Sequence, residues 1–216
     1  DLNEKLTINA GFHVQYFTLN DQYTIEPRLG VRYGFAPGQT LSVGYGLHSQ
    51  IQGLGVYYAR VENPSGVISN PNKNLGLSKS QHFVLSHSLL LGKNLKLKTE
   101  LYYQQLFNIP VSTSDTNTLS AINIEGDYIT EALTNRGKGR NYGLEISLEK
   151  YLSNRFYYML SNSFYQSKYK ASDGIERNTR FNGGFVSNLV AGKDFVSSSG
   201  RRTIGINIRV LYSGGF

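Results

Sequence analysis

The stretch KLTINAGFHVQYF, Lys5 to Phe17, alternates polar and apolar side chains over its whole length. Successive side chains of an extended chain point to opposite sides, so such a run is a strand with one dry face and one wet face. The same grammar returns in YTIEPRLGVRYGF (Tyr23 to Phe35), where Tyr23, Ile25, Leu29, Val31 and Tyr33 alternate with Thr24, Glu26, Arg28, Gly30 and Arg32. It returns again in TLSVGYGLH, LKLKTELYY, NYGLEISLEKY and TIGINIRVLY. With QHFVLSHSLLL, RFYYMLSNSFYQSKY and FVSNLVAGKDF added, about nine strands and no helix are expected.

Alternation alone does not say whether the dry face meets a protein core or a bilayer. Strand length and loop pattern decide it. Several runs reach about 11 to 13 residues, against about 5 to 6 for a common soluble strand, and 13 residues tilted by about 40° rise roughly 30 Å, enough to cross an apolar band of about 25 Å. Connections also alternate in length. APGQ, GKN, LSN and SSSGR are short, whereas the polar stretches near Ser49 to Ser80, Phe107 to Arg140 and Lys168 to Gly184 are long; TLNDQ is a short turn on the long-loop rim. Short turns on one rim and long loops on the other mark an outer-membrane barrel.

Composition agrees with that choice. No stretch approaches the roughly 18 to 20 apolar residues of a membrane-spanning helix, which leaves a closed barrel as the way to pair every backbone group in hydrocarbon. Sixteen Tyr and eleven Phe gather near strand ends, as two aromatic girdles at the headgroup levels require. The list includes Tyr16, Phe17, Tyr23, Tyr33, Phe35, Tyr102, Tyr103, Tyr142, Tyr151, Phe156, Tyr157, Phe164, Tyr165 and Tyr212. The absence of cysteine excludes a disulfide scaffold. A net charge of +7 would suit nucleic acid, but the basic residues are scattered, so no nucleic-acid partner is expected. DLNEKL lacks the basic and apolar segments of a signal peptide, so any targeting segment is removed or lies outside these residues. On the membrane reading Lys5, His13, Arg28, Arg32, Lys96 and Arg209 look into a wet lumen.

Several collinear stretches resemble TonB-dependent outer-membrane receptors, specifically the barrel of the branch that carries a carboxypeptidase-regulatory-like domain ahead of the plug. They are EPRLGVRYGFAPGQTLSVGYGLHSQ (Glu26 to Gln50), NKNLGLSKSQHFVLSHS, LYYQQLFNIPV, NRGKGRNYGLEISLEKY with the residues onward to Phe195, and IRVLYSGG. The resemblance implies an all-β fold, an antiparallel transmembrane β-barrel in which residues 1–216 supply about nine strands of a larger, 22-stranded type. The chain would then be a fragment lacking plug and final strands. It also implies a location in the outer membrane of a Gram-negative bacterium, partners in outer-membrane lipid, a small solute and TonB through the missing plug, and uptake of a siderophore, peptide or glycan. A docking barrel that binds a surface lipoprotein without transport is the alternative.

No catalytic constellation, metal set or cofactor motif is expected. His82 and Ser86 share a strand face but lie roughly 13 Å apart, too far for a nucleophile and its base. Asp173-Gly174 reads as a turn, and lone carboxylates there do not make a calcium loop. The ligand-binding candidates are Glu26, Arg28 and Arg32 on one face of one strand, with Arg136, Arg140, Glu176, Arg177 and Arg180 in the loop stretches NRGKGRN and SDGIERNTRFNG. A polar loop that pairs its own charges accounts for the second group equally well.

Overall fold

The computed structural model describes residues 5–62, 65–124, 126 and 129–215. Nine long antiparallel strands form one sheet in which each pairs with the next: β1 (Leu6–Phe17), β2 (Gln22–Ala36), β3 (Gln39–Gln50), β6 (Ser78–Leu91), β7 (Leu95–Ser112), β8 (Leu133–Ser153), β9 (Phe156–Lys170), β11 (Phe185–Val196) and β12 (Thr203–Ser213). Three short strands sit in loops. β4 (Val61–Glu62) and β5 (Ile68–Ser69) make a small hairpin, and β10 (Glu176–Asn178) lies on the edge of β9. The only α-helix among the described residues is one turn, α1 (Leu54–Tyr57), and none is long and apolar enough to cross a membrane.

Register carries the alternation from strand to strand. On one face Val14 stands opposite Ile25, Ile8 opposite Val31 and Leu6 opposite Tyr33. That row continues through Val43, Leu85, Leu101, Leu144 and Phe164, and ends in Ile204, Ile206, Ile208 and Val210 of β12. Most side chains of this face are exposed: Phe12 is 76% exposed and Ile206 58%. In water so wide an apolar sheet would aggregate; against lipid it is the surface required. The opposite face carries Asn9, His13, Glu26, Arg28, Arg32, Ser42, Ser86, Glu100, Glu145, Asn207 and Arg209.

Aromatic side chains of the apolar face fall at its two rims. Tyr16, Tyr23, Tyr103, Tyr142 and Tyr212 lie toward the long loops, and Tyr33, Phe35, Tyr158 and Phe195 toward the short turns. Four of the aromatics expected in the girdles are elsewhere. Phe17, Tyr102, Tyr157 and Tyr165 have the parity of the polar face, because adjacent residues of a strand cannot share a side. Phe17 packs on Tyr57 at 5.0 Å between ring centres, and Tyr157 donates its hydroxyl proton to Asn207 Oδ1 at 3.0 Å.

The four short turns occupy one rim. The β8–β9 turn has positive φ at both Asn154 and Arg155, the geometry whose twist matches a tight hairpin. The long loops occupy the other rim, but they are shorter than the sequence suggests. β7 runs to Ser112 and β8 starts at Leu133, so NRGKGRN is paired strand rather than loop. Above the bilayer both faces are wet and alternation no longer marks a strand. The β7–β8 ladder shifts register between Leu106 and Ile109 and again before Val111. Pro110, which has no N–H to donate, sits in this irregular stretch, and the shifts turn Val111 into a small buried cluster with Tyr169 and Ala171.

The main buried core of the described residues lies among the loops. Val56, Tyr57, Leu75, Ile129 and Leu133 pack together with Phe17, Leu19 and Ile51 against them. Three asparagines staple the loops. Asn72, fully buried, donates to the Glu131 carbonyl at 2.9 Å and accepts from the Leu133 N–H at 2.8 Å. Asn20, at the tip of the β1–β2 turn, donates to the carbonyls of Lys73 and Leu75. Asn135 exchanges two hydrogen bonds with the backbone of Gly76.

Candidate functional site

The polar face of β1–β3 gathers three of its charged side chains at the loop end. Glu26 is 2% exposed, and its Oε2 lies 3.2 Å from His13 Nδ1 and 3.3 Å from Arg28 Nη2. Its other oxygen is buried, and Ser49 lies against the carboxylate. Arg32 shares this face but stands opposite Thr7 and Ser42, roughly 20 Å along the strand from Glu26.

Beside this cluster the polar face of β3, β6 and β7 forms a cavity of about 530 Å³, lined by His48, Ser80, His82, Gln104 and Leu106 and roofed by Ala121 and Ile122 of the β7–β8 loop. The His48 and His82 rings lie 4.5 Å apart. Ser80 Oγ is buried without a partner among the described residues. The loop therefore folds inward over the polar face rather than out into solvent.

The loop candidates separate into two sets. Arg136 is held by Asp115 at 2.6 Å, the Thr113 carbonyl and Ser172. Arg177 makes a two-pronged contact with Asp173, at 3.0 and 2.6 Å, and that guanidinium holds the Asp173 carboxyl below its usual pKa. Arg180 stacks over Phe181 and its N–H donates to Asn123. Arg140 and Glu176 pair with one another at 2.7 Å, and the bond from Arg140 is the main cause of a lowered Glu176 pKa. Register places Arg140 opposite Gln105 and Lys168, with the parity of Tyr142 and Leu144, and so on the outer face. Among the described residues no three His, Cys, Asp or Glu side chains converge as a metal site.

Asn72, Asn135, Ser80 and Gln104 escape a reading of the sequence. The Asn72 and Asn135 bonds to the backbone span 59 residues, and nothing in local spacing signals them.

A wall of consecutively paired antiparallel strands, bare and apolar outside, girdled by aromatics and polar within, defines a transmembrane β-barrel of the outer-membrane type. The family model "TonB dependent receptor-like, beta-barrel" matches residues 1–205. The chain belongs to that family and to the outer membrane of Gram-negative bacteria. No curated protein matches the sequence.

Among solved structures it is similar to the alcaligin outer-membrane receptor FauA of Bordetella pertussis, at 17% identity and TM-score 0.64, covering 100% of this chain and 36% of that one. It is similar to the ferric-catecholate import receptor Fiu of E. coli K12, at 13% identity and TM-score 0.66, covering 96% and 32%. It is also similar to the siderophore receptor PiuA of Acinetobacter baumannii, at 10% identity and TM-score 0.61, covering 96% and 34%. The chain thus spans about a third of the length of these structures, and the likeness is one of fold. Its nine strands are a segment of a larger barrel.

Proposed function

We propose that residues 1–216 are part of the barrel of a receptor that takes up a scarce solute through a plugged lumen, driven by TonB. The observation that carries this reading is the roofed cavity on the polar face. It has the volume of a small-molecule site, and Glu26, Arg28 and His13 lie beside it. Glu26, Arg28 and Arg32 would meet solute or plug from the wall. Arg136, Arg177 and Arg180 would shape the loops that admit it. The siderophore receptors among the structural relatives favour a ferric siderophore over a peptide or glycan. Membership of the branch with a carboxypeptidase-regulatory-like domain rests on the collinear sequence stretches.

The test is accumulation of labelled ferric siderophores by cells carrying the intact receptor, with and without TonB and with the proton gradient collapsed. Saturable uptake that disappears without TonB, while surface binding persists, is expected. Uptake indifferent to TonB overturns the reading. No uptake of any solute, with a surface lipoprotein copurifying, replaces it with the docking barrel.

A further inference from the structure

The outer face of β8 and β9 carries a concentration of positive charge that exceeds the negative charge beside it. Lys138 stands directly opposite Lys170, and Arg140 opposite Lys168, in unbroken register with Tyr142–Gln166 and Leu144–Phe164 below them. All four cations therefore share the side that turns its apolar residues to lipid. Like charges directly opposite on neighbouring strands are destabilising, and here two such pairs stand in adjacent rows.

Among the described residues one carboxylate, Glu176, is paired with these cations. Glu176 lies 2.7 Å from Arg140 and 3.8 Å from Lys168 and stands opposite Lys170 in the β9–β10 ladder, so one negative charge is shared among the four cations; Lys138 has no acidic side chain within ion-pair distance among the described residues. Arg140 Nε is buried without a hydrogen-bond partner among the described residues. The same five side chains, with Tyr103 beside them, line a concavity of about 200 Å³. Lys150, at the other end of β8, presents the opposite case. Its ammonium donates to the Ser153 carbonyl, the Ser153 hydroxyl and the Phe156 carbonyl at 2.9 to 3.2 Å, so its charge is answered from within.

Depth identifies what answers the upper four. From Lys150 to Arg140 the strand advances about 33 Å, or roughly 25 Å along the membrane normal at the usual tilt, which is the height of the apolar band. The patch thus sits one step above hydrocarbon on the loop side, with Tyr103 and Tyr142 at its foot and Leu101, Leu144 and Phe164 directly beneath.

We infer that Lys138, Arg140, Lys168 and Lys170 form a binding site for the phosphate of an anionic lipid headgroup in the leaflet facing the long loops, with the acyl chains running down the apolar rows below. Arginine and lysine N–H groups suit phosphate oxygens, and clustered cations at a membrane surface hold anionic lipid. The site lies on the opposite side of the wall from the solute path, and its fate is independent of the function proposed above.

The experiment is native mass spectrometry of the full-length receptor in detergent, titrated with diphosphorylated lipid A, with dephosphorylated lipid A and, without lipid, with inorganic phosphate. The expected result is retention of the diphosphorylated lipid over the dephosphorylated one by roughly tenfold or more. That preference should vanish in Lys138→Gln/Lys168→Gln/Lys170→Gln and persist in Lys96→Gln/Lys98→Gln/Arg209→Gln, which removes equal charge from the lumen face. Heat-modifiable gel mobility checks barrel folding in each. If the triple variant fails to fold, Lys170→Glu at the exposed edge of the patch makes the same test. Equal retention of both lipids, a variant that keeps the preference, or inorganic phosphate bound as tightly as the lipid overturns the assignment.

Discussion

At the residue scale, loop conformation depends on single polar side chains that reach backbone far away in sequence. Asn72→Ala removes two buried hydrogen bonds and leaves the Glu131 carbonyl and the Leu133 N–H unpaired, a cost of about 1–3 kcal/mol. We expect cleavage of the loop 113–132 by a soluble protease to quicken by about tenfold while the barrel itself stays resistant; an unchanged rate would show that Asn72 is not the staple. The ion pairs of the loop 171–184 respond to pH. Asp173 and Glu176 both have lowered pKa values, so their contribution is complete above the ordinary values of 3.8 and 4.5 and fades as pH falls through the lowered ones. A spin label at Ile175 should gain mobility on acidification below that range, and should be mobile at every pH in Arg177→Gln. Glu26 and Arg28 can be assigned to the polar face from sequence because alternation around them is strict. Arg140 cannot be, because in NRGKGRN no apolar neighbour marks the face.

At the element scale, the apolar face makes the sharpest claim. Ile206 and Asn207 are adjacent on β12 yet face opposite solvents. Ile206→Arg should cost about 2–4 kcal/mol near mid-bilayer and block assembly, whereas Asn207→Arg should lose little beyond the Tyr157 bond. Equal tolerance, read as folded receptor per cell, would contradict the face assignment. Gly143 is a second check. A Cβ there would come within 2.6 Å of the Phe164 carbonyl and 2.8 Å of the Tyr102 hydroxyl, so Gly143→Ala should force β8 and β9 apart locally and cost about 1–3 kcal/mol of barrel stability in denaturant titration. Strand identity, number and order were legible because the bilayer imposes alternation on every spanning segment. Strand ends were not. β8 is 21 residues long and β7 18, and their upper turns stand in water on both sides, where no such pressure writes a pattern.

At the scale of the whole molecule, the described sheet has two bare edges. β1 pairs only with β2 and β12 only with β11, and unpaired backbone in hydrocarbon is prohibitively costly. Further strands must complete the barrel, in keeping with relatives about three times as long. The claim on which the rest depends is that this wall divides lipid from a wet lumen; none of the 216 residues is cysteine, and any cysteine elsewhere in the intact receptor is first replaced by serine. Single cysteines placed from Ile204 through Val210 in the intact receptor, in its own membrane, would be treated with a charged, membrane-impermeant thiol reagent and with a bilayer-partitioning one. Strict alternation is expected, with 205, 207 and 209 labelled from water and 204, 206, 208 and 210 from lipid. Uniform labelling from water along the whole strand would contradict it.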